Sequence, residues 1–195
     1  MSAADHLPVP MVLPPGPGPV DFESYAFTVL KGAALSGDTW ERADFGTVLT
    51  WGGRLAGPRL LSDAYDGGLI DDGTLAAHIG QVWSGADYPD AALGHGRWRK
   101  LFHAAGFTRD GVPADRPAEP VELWRGSVPA RRTDWSWPTD WETAAQYATG
   151  SFGRPAGRLY RLLAPPAALL GAYDGRDESE YVVDTGHPGL VITDA

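Results

Sequence analysis

Asp21 precedes a segment in which Phe22, Tyr25, Val29, Leu30 and Ala33 recur near helical spacing, and Gly37 ends it, so the first predicted element is an amphipathic helix. Asp38-Thr39-Trp40-Glu41 then reads as a cap with glutamate at the third helical position, opening a helix through Phe45, Val48 and Leu49 to Gly52-Gly53. Leu60, Leu61 and Ala64 predict a short helix before Gly67-Gly68. Leu75, Ile79, Val82 and Trp83 form another apolar face, and Trp98, Leu101, Phe102 and Ala105 a last one closed by Gly106. Trp40, Trp51, Trp83 and Trp98 lie at helical spacing beside leucines and valines and are assigned to the core.

The pattern changes after Phe107. Thr108 to Pro120 holds Gly111, Pro113, Pro117 and Pro120 among alternating charges, a turn-rich connection. Beyond it, Val121 to Arg125, Trp135 to Trp137, Gly157 to Leu163, Glu180 to Val183 and Leu190 to Thr193 read as five strands. Thr139 to Ala148 reads as a helix, with Thr139 and Glu142 as its capping box. The fold class is therefore α+β. A helical portion over 21–110 is expected to pack, through a linker over 111–119, on a mostly β portion over 120–195. Helices this short are marginal alone and need that packing.

Residues 1 to 20 contain no lysine or arginine and are broken by six prolines, so they predict a disordered leader of polyproline character rather than a signal or membrane segment. A cytoplasmic protein is the expectation. At 195 residues the chain is long enough to bury a real core. Its net charge is −9 and its 14 arginines are scattered, so the basic footprint of nucleic-acid binding is absent. With no cysteine, disulfides, thiolate catalysis and cysteine-ligated zinc are excluded. The five histidines show no metal-ligand spacing, and no metal is expected.

Candidate chemistry concentrates in the β portion. Glu178 and Glu180 lie one residue apart at the mouth of the run Tyr181-Val182-Val183, and strand alternation points both into the same space. Like charges so close raise each other's pKa unless a cation or a reaction intermediate compensates them. Upstream, Leu123-Trp124-Arg125-Gly126 is an apolar run ending in an arginine that is costly to bury unpaired. That arginine should meet a carboxylate, with Glu122 and Asp134 the nearest choices, or a ligand phosphate. Ser136 follows among Trp135, Trp137 and Trp141, any of which could stack on a planar ligand, although packing is the expected fate of Trp141.

An arginine, a serine 11 residues later and a glutamate 44 residues after that resembles the Arg-Ser-Glu class of ADP-ribosyltransferases. The resemblance spans about Pro120 to Ile192. It implies a compact split β-sheet core that binds NAD as substrate. It places NAD binding on Arg125, Gly126, Ser136, Trp137 and Thr139. Many members carry Ser-Thr-Ser where this chain has Ser136-Trp137-Pro138, and Thr139 supplies the next hydroxyl. The resemblance also puts the oxocarbenium-stabilising charge on Glu180, engagement of an acceptor guanidinium on Glu178, and Tyr173 on an acceptor-contacting loop from Gly171 to Asp177. The implied activity is transfer of ADP-ribose to an acceptor, a protein arginine, with NAD hydrolysis when water takes the acceptor's place. Two other readings stay open on the sequence: a RES-type NAD-degrading toxin, and a binding or immunity module of the same fold without turnover.

Overall fold

The computed structural model describes residues 21–150, 155–175 and 179–195. The Pro-rich segment 1–20 lies outside them, as does Glu178. The first helix, α1 (Phe22–Ser36), begins where Asp21 accepts the Ser24 N–H at 3.2 Å and stops at Gly37, as expected. The second departs from expectation. Asp38 does not cap it, because the Trp40 N–H is tied to the Leu69 carbonyl at 2.6 Å; the helix starts after Glu41, which gives no side-chain cap. It also does not stop at Gly52-Gly53. α2 runs Arg42–Asp66 with one break at Gly53, whose φ of 64° is left-handed and suits only glycine at low cost, and the chain re-enters the helix at Arg54. Two expected helices are thus halves of one bent element.

α3 (Asp72–Gly85) is capped by Asp71, which accepts the Thr74 N–H at 2.7 Å. α4 (Pro89–Leu93) and α5 (His95–Ala105) follow. The tryptophans do what the spacing predicts. Trp83 and Trp98 are fully buried with ring centroids 5.0 Å apart, Trp40 is buried beside Phe45, and Trp51 packs on Tyr25 at 5.1 Å.

The connection after α5 is more ordered than a linker. Thr108–Arg109 (β1) and Val112–Pro113 (β2) form a two-stranded ribbon, and β1 joins the sheet parallel to a strand that periodicity did not predict, Leu169–Tyr173 (β6). Between them the chain runs through β3 (Val121–Ser127), β4 (Ser136–Pro138), α6 (Trp141–Ala148) and β5 (Arg158–Ala164). β7 (Glu180–Val183) and β8 (Ile192–Asp194) close it. Asp140 rather than Thr139 caps α6, accepting the Thr143 N–H at 2.6 Å.

The strands make two sheets, one ordered β2-β1-β6-β7-β4 and one ordered β3-β5-β8. The fold is α+β. Leu170 and Val182 from the larger sheet, and Trp135 just before β4, belong to the same buried cluster as the helices, with Trp83 stacked on Trp135 at 6.1 Å. A second cluster, including Leu123, Trp137, Leu162 and Val183, combines residues of both sheets. Among the described residues no helix is long and apolar enough to cross a membrane.

Candidate active site

Glu180 opens β7 between two strands, opposite Pro138 of β4 and Tyr173 of β6. Pairing with both strands fixes its place; Pro138 has no N–H to give, and the nearest bond to the β4 side runs from the Thr139 N–H to the Ser179 carbonyl at 2.9 Å. Opposed residues of antiparallel strands share a face. Ser136 stands two residues before Pro138 and so projects from the same face of β4. Its hydroxyl donates to the Glu180 carboxylate. Glu180 is only 7% exposed, and a carboxylate that is so enclosed needs such donors to hold its charge. The sequence separation of 44 residues is closed by one strand pairing.

Arg125 is brought to the same place by a different sheet. From β3 its guanidinium donates to the Arg131 carbonyl at 3.1 Å, to the Ser136 carbonyl at 2.5 Å and to Asp134 at 3.0 Å. The ion pair to Asp134 is one of the two that the sequence offered; Glu122 instead pairs with Arg161 at 2.7 Å. Three nitrogens engaged at 9% exposure make Arg125 a clamp between the sheets that fixes the backbone of Ser136.

Gly126 has a packing reason to be glycine. A Cβ there would lie 2.0 Å from the Ala144 carbonyl oxygen and 2.4 Å from the Ala148 nitrogen, so α6 can approach β3 only over a bare Cα. Trp137 is corrected from a ligand-stacking position to a core one: it has no exposed surface, and its indole N–H donates to the Asp134 carbonyl at 2.8 Å. Thr139 is exposed, and both its N–H and its hydroxyl bond the Ser179 carbonyl, at 2.9 and 3.3 Å, pinning the residue before Glu180. Tyr173 is the last residue of β6 rather than part of a loop. Trp141 is 51% exposed rather than packed against the sheet, and Trp135 is buried between Trp83 and His95.

Ser136, Glu180, Arg125 and Gly126 line one cleft of about 150 Å³. The helical portion supplies much of the rest of its wall: Trp83 at the end of α3, which the spacing assigns to the core, and Arg54 at the α2 break and Asp90 in α4, to which the sequence pattern gives no role. Asp90 accepts from the His95 Nε2 at 2.6 Å and from the Trp135 N–H at 3.0 Å, so it holds the residue before Ser136 in place. Arg131, also at the cleft, bonds Asp134 at 2.6 Å and lies 4.8 Å over the Tyr88 ring, yet keeps a third of its side chain exposed. The Gly-Gly-Arg run at 52–54 was the only local signal for this wall.

At the far end of β7, Arg99 grips Asp184 through two bonds of 2.6 and 2.7 Å, which hold that carboxyl below the usual carboxylate range. Among the described residues no group of three His, Cys, Asp or Glu side chains is placed to hold a metal ion. The cleft therefore offers an enclosed carboxylate with a hydroxyl beside it and two accessible guanidinia, Arg54 and Arg131, a set suited to a substrate that carries phosphate and develops positive charge. No family model matches the chain, and neither does any curated protein or solved structure.

Proposed function

We propose that this protein cleaves NAD at the bond between nicotinamide and ribose and transfers ADP-ribose to an acceptor, in the manner of the Arg-Ser-Glu ADP-ribosyltransferases it resembles. Its two sheets are read as the split sheet of that class. The observation that carries the proposal is the Ser136 hydroxyl donating to the enclosed Glu180 carboxylate at the wall of a cleft. As nicotinamide departs with the bonding electron pair, C1′ of the ribose becomes an oxocarbenium, and a carboxylate held beside it stabilises that charge without reorganising. Ser136 keeps the carboxylate aimed. Arg131 takes the phosphate role first assigned to Arg125, being the more exposed of the two. The acceptor atom then bonds to C1′ and loses its proton. Glu178, the expected partner of an acceptor guanidinium, lies outside the described residues.

A second reading, hydrolysis to free ADP-ribose, follows from the same site with water in the acceptor's place, bonding to C1′ and losing a proton. Both readings require nicotinamide release from NAD by the purified protein. Mass spectrometry of lysate proteins and of free arginine, with and without added NAD, divides them: an ADP-ribose adduct supports transfer, and free ADP-ribose alone supports hydrolysis. No release of nicotinamide with any acceptor would overturn both.

A further inference from the structure

The cleft at Glu180 is too small for a whole dinucleotide, and a second, larger cavity adjoins it. About 370 Å³ in volume, this cavity lies between the break of α2 and the body of α3, and Arg54 lines both. The two are also neighbours across the sheet. Tyr173 lines the larger cavity and Glu180 the smaller, and these residues are directly opposed on adjacent strands, where side chains share a face with Cβ atoms roughly 5 Å apart.

Resting on the reading of NAD as substrate, we propose that the second cavity receives the adenosine end of the dinucleotide, with Arg54 at the diphosphate between the two halves. The cavity's chemistry suits a flat base with polar edges. Leu49 and Val82 give apolar walls, His78 and Tyr173 give rings, and the Gln81 amide offers both a donor and an acceptor. His78 is buried with Nε2 committed to the Arg42 carbonyl at 2.9 Å, which leaves Nδ1 as the ring nitrogen for a ligand. Burial also lowers its pKa, so the ring is neutral at pH 7 and Nδ1 accepts. The left-handed turn at Gly53 bends the two halves of α2 apart, and Gly53 itself lines the space.

Arg54 is suited to a diphosphate in a way that Arg125 is not. It donates to the Gly85 carbonyl at 2.8 Å and pairs with Asp87, but the pair is open to solvent, with side-chain exposures of 62% and 51%. Exposed pairs of this kind contribute little, and an arriving diphosphate can replace Asp87.

The test compares NAD with nicotinamide mononucleotide, which has the scissile bond and lacks the adenosine half. Gly57→Leu fills the cavity from a position where a Cβ meets only Val82, at 3.6 Å. Gln81→Trp does so from an exposed position on α3 that tolerates a large side chain, and thermal unfolding checks that each variant folds. The ratio of kcat/KM for NAD to that for nicotinamide mononucleotide should fall at least tenfold in folded variants. An unchanged ratio in a folded variant would overturn the proposal. Calorimetry with adenosine monophosphate separates this proposal from the reaction itself. Binding to wild type that is lost in the variants supports the cavity even if no nicotinamide is released. No binding, with nicotinamide release intact, overturns the cavity and leaves the reaction standing.

Discussion

On β7, Glu180 is held between two neighbouring strands and meets a hydroxyl from one of them, whereas on another wall of the same cleft Arg54 is set by a break in a helix and an exposed ion pair. The first arrangement is rigid and enclosed, and the second is open and replaceable. That difference matches two tasks. A charge that must stabilise a transition state gains from having no reorganisation left to do, and a group that must admit and release a charged substrate gains from a partner it can exchange. The same contrast separates two arginines of the cleft. Arg125, with three acceptors and 9% exposure, holds the sheets together; Arg131, a third exposed, is available to a ligand.

The contrast predicts that damage to the packing and the clamp behind Glu180 destabilises the protein more than damage on the open side does. Gly126→Val should have the largest effect, because its side chain would enter the α6 backbone, with the nearest atom 2.0 Å from the new Cβ. A loss of about 3 kcal/mol, or roughly 6–12 °C in Tm, is expected in thermal unfolding. A Tm within about 2 °C of wild type would show that α6 gives way and that the close approach is not a constraint.

Arg125→Met comes next. It strips donors from two carbonyls and from Asp134, at about 2 kcal/mol by calorimetric or denaturant unfolding. Arg131→Met should cost less than about 1 kcal/mol while raising the KM for NAD. Equal stability losses would dissolve the distinction between them. Ser136→Ala takes a donor from the enclosed carboxylate and should cost about 1 kcal/mol in stability while reducing nicotinamide release about tenfold, the worth of roughly 1.4 kcal/mol in aiming the carboxylate. A full rate would remove Ser136 from the site.

The smallest effect concerns His78. Burial holds its native pKa below the unfolded value of 6.5, so below about pH 6.5 the unfolded chain binds more protons than the native one. Stability should decline as pH falls from 7 toward 5, and His78→Gln should flatten that part of the curve. A parent Tm independent of pH across this range would contradict the burial of His78.

The enclosed side was the more legible in the sequence, for physical reasons. The run from Glu180 to Val183 is β-branched and aromatic, and it is a strand with those bounds. Ser136 and Glu180 come together in the sequence only through the resemblance to the Arg-Ser-Glu class, because the β4–β7 pairing that joins them spans 44 residues and leaves no local signal. β6 was missed because Leu-Leu-Gly-Ala-Tyr has small residues where strand propensity wants branched ones. It sits in the middle of the sheet, and its register against β7 shifts between Leu169 and Gly171, an irregularity that period-two alternation does not show. The cap of α6 was misplaced by one residue because Thr139 is pulled toward the Ser179 carbonyl, a partner 40 positions away. The open side was hidden for the same kind of reason. Gly52-Gly53 has the local signature of a helix end, and only the packing of α2 against α3 makes it a bend that carries Arg54 to the cleft.

The central claim is that the Glu180 carboxylate carries the chemistry, and the most direct measurement is nicotinamide release from NAD by wild type and by Glu180→Gln. The amide keeps the shape and can still bond to the Ser136 hydroxyl, but it lacks the charge. The account predicts a folded variant whose rate is lower by at least about a hundredfold, the scale of losing one preorganised electrostatic group. A folded Glu180→Gln protein that releases nicotinamide at the wild-type rate would contradict it.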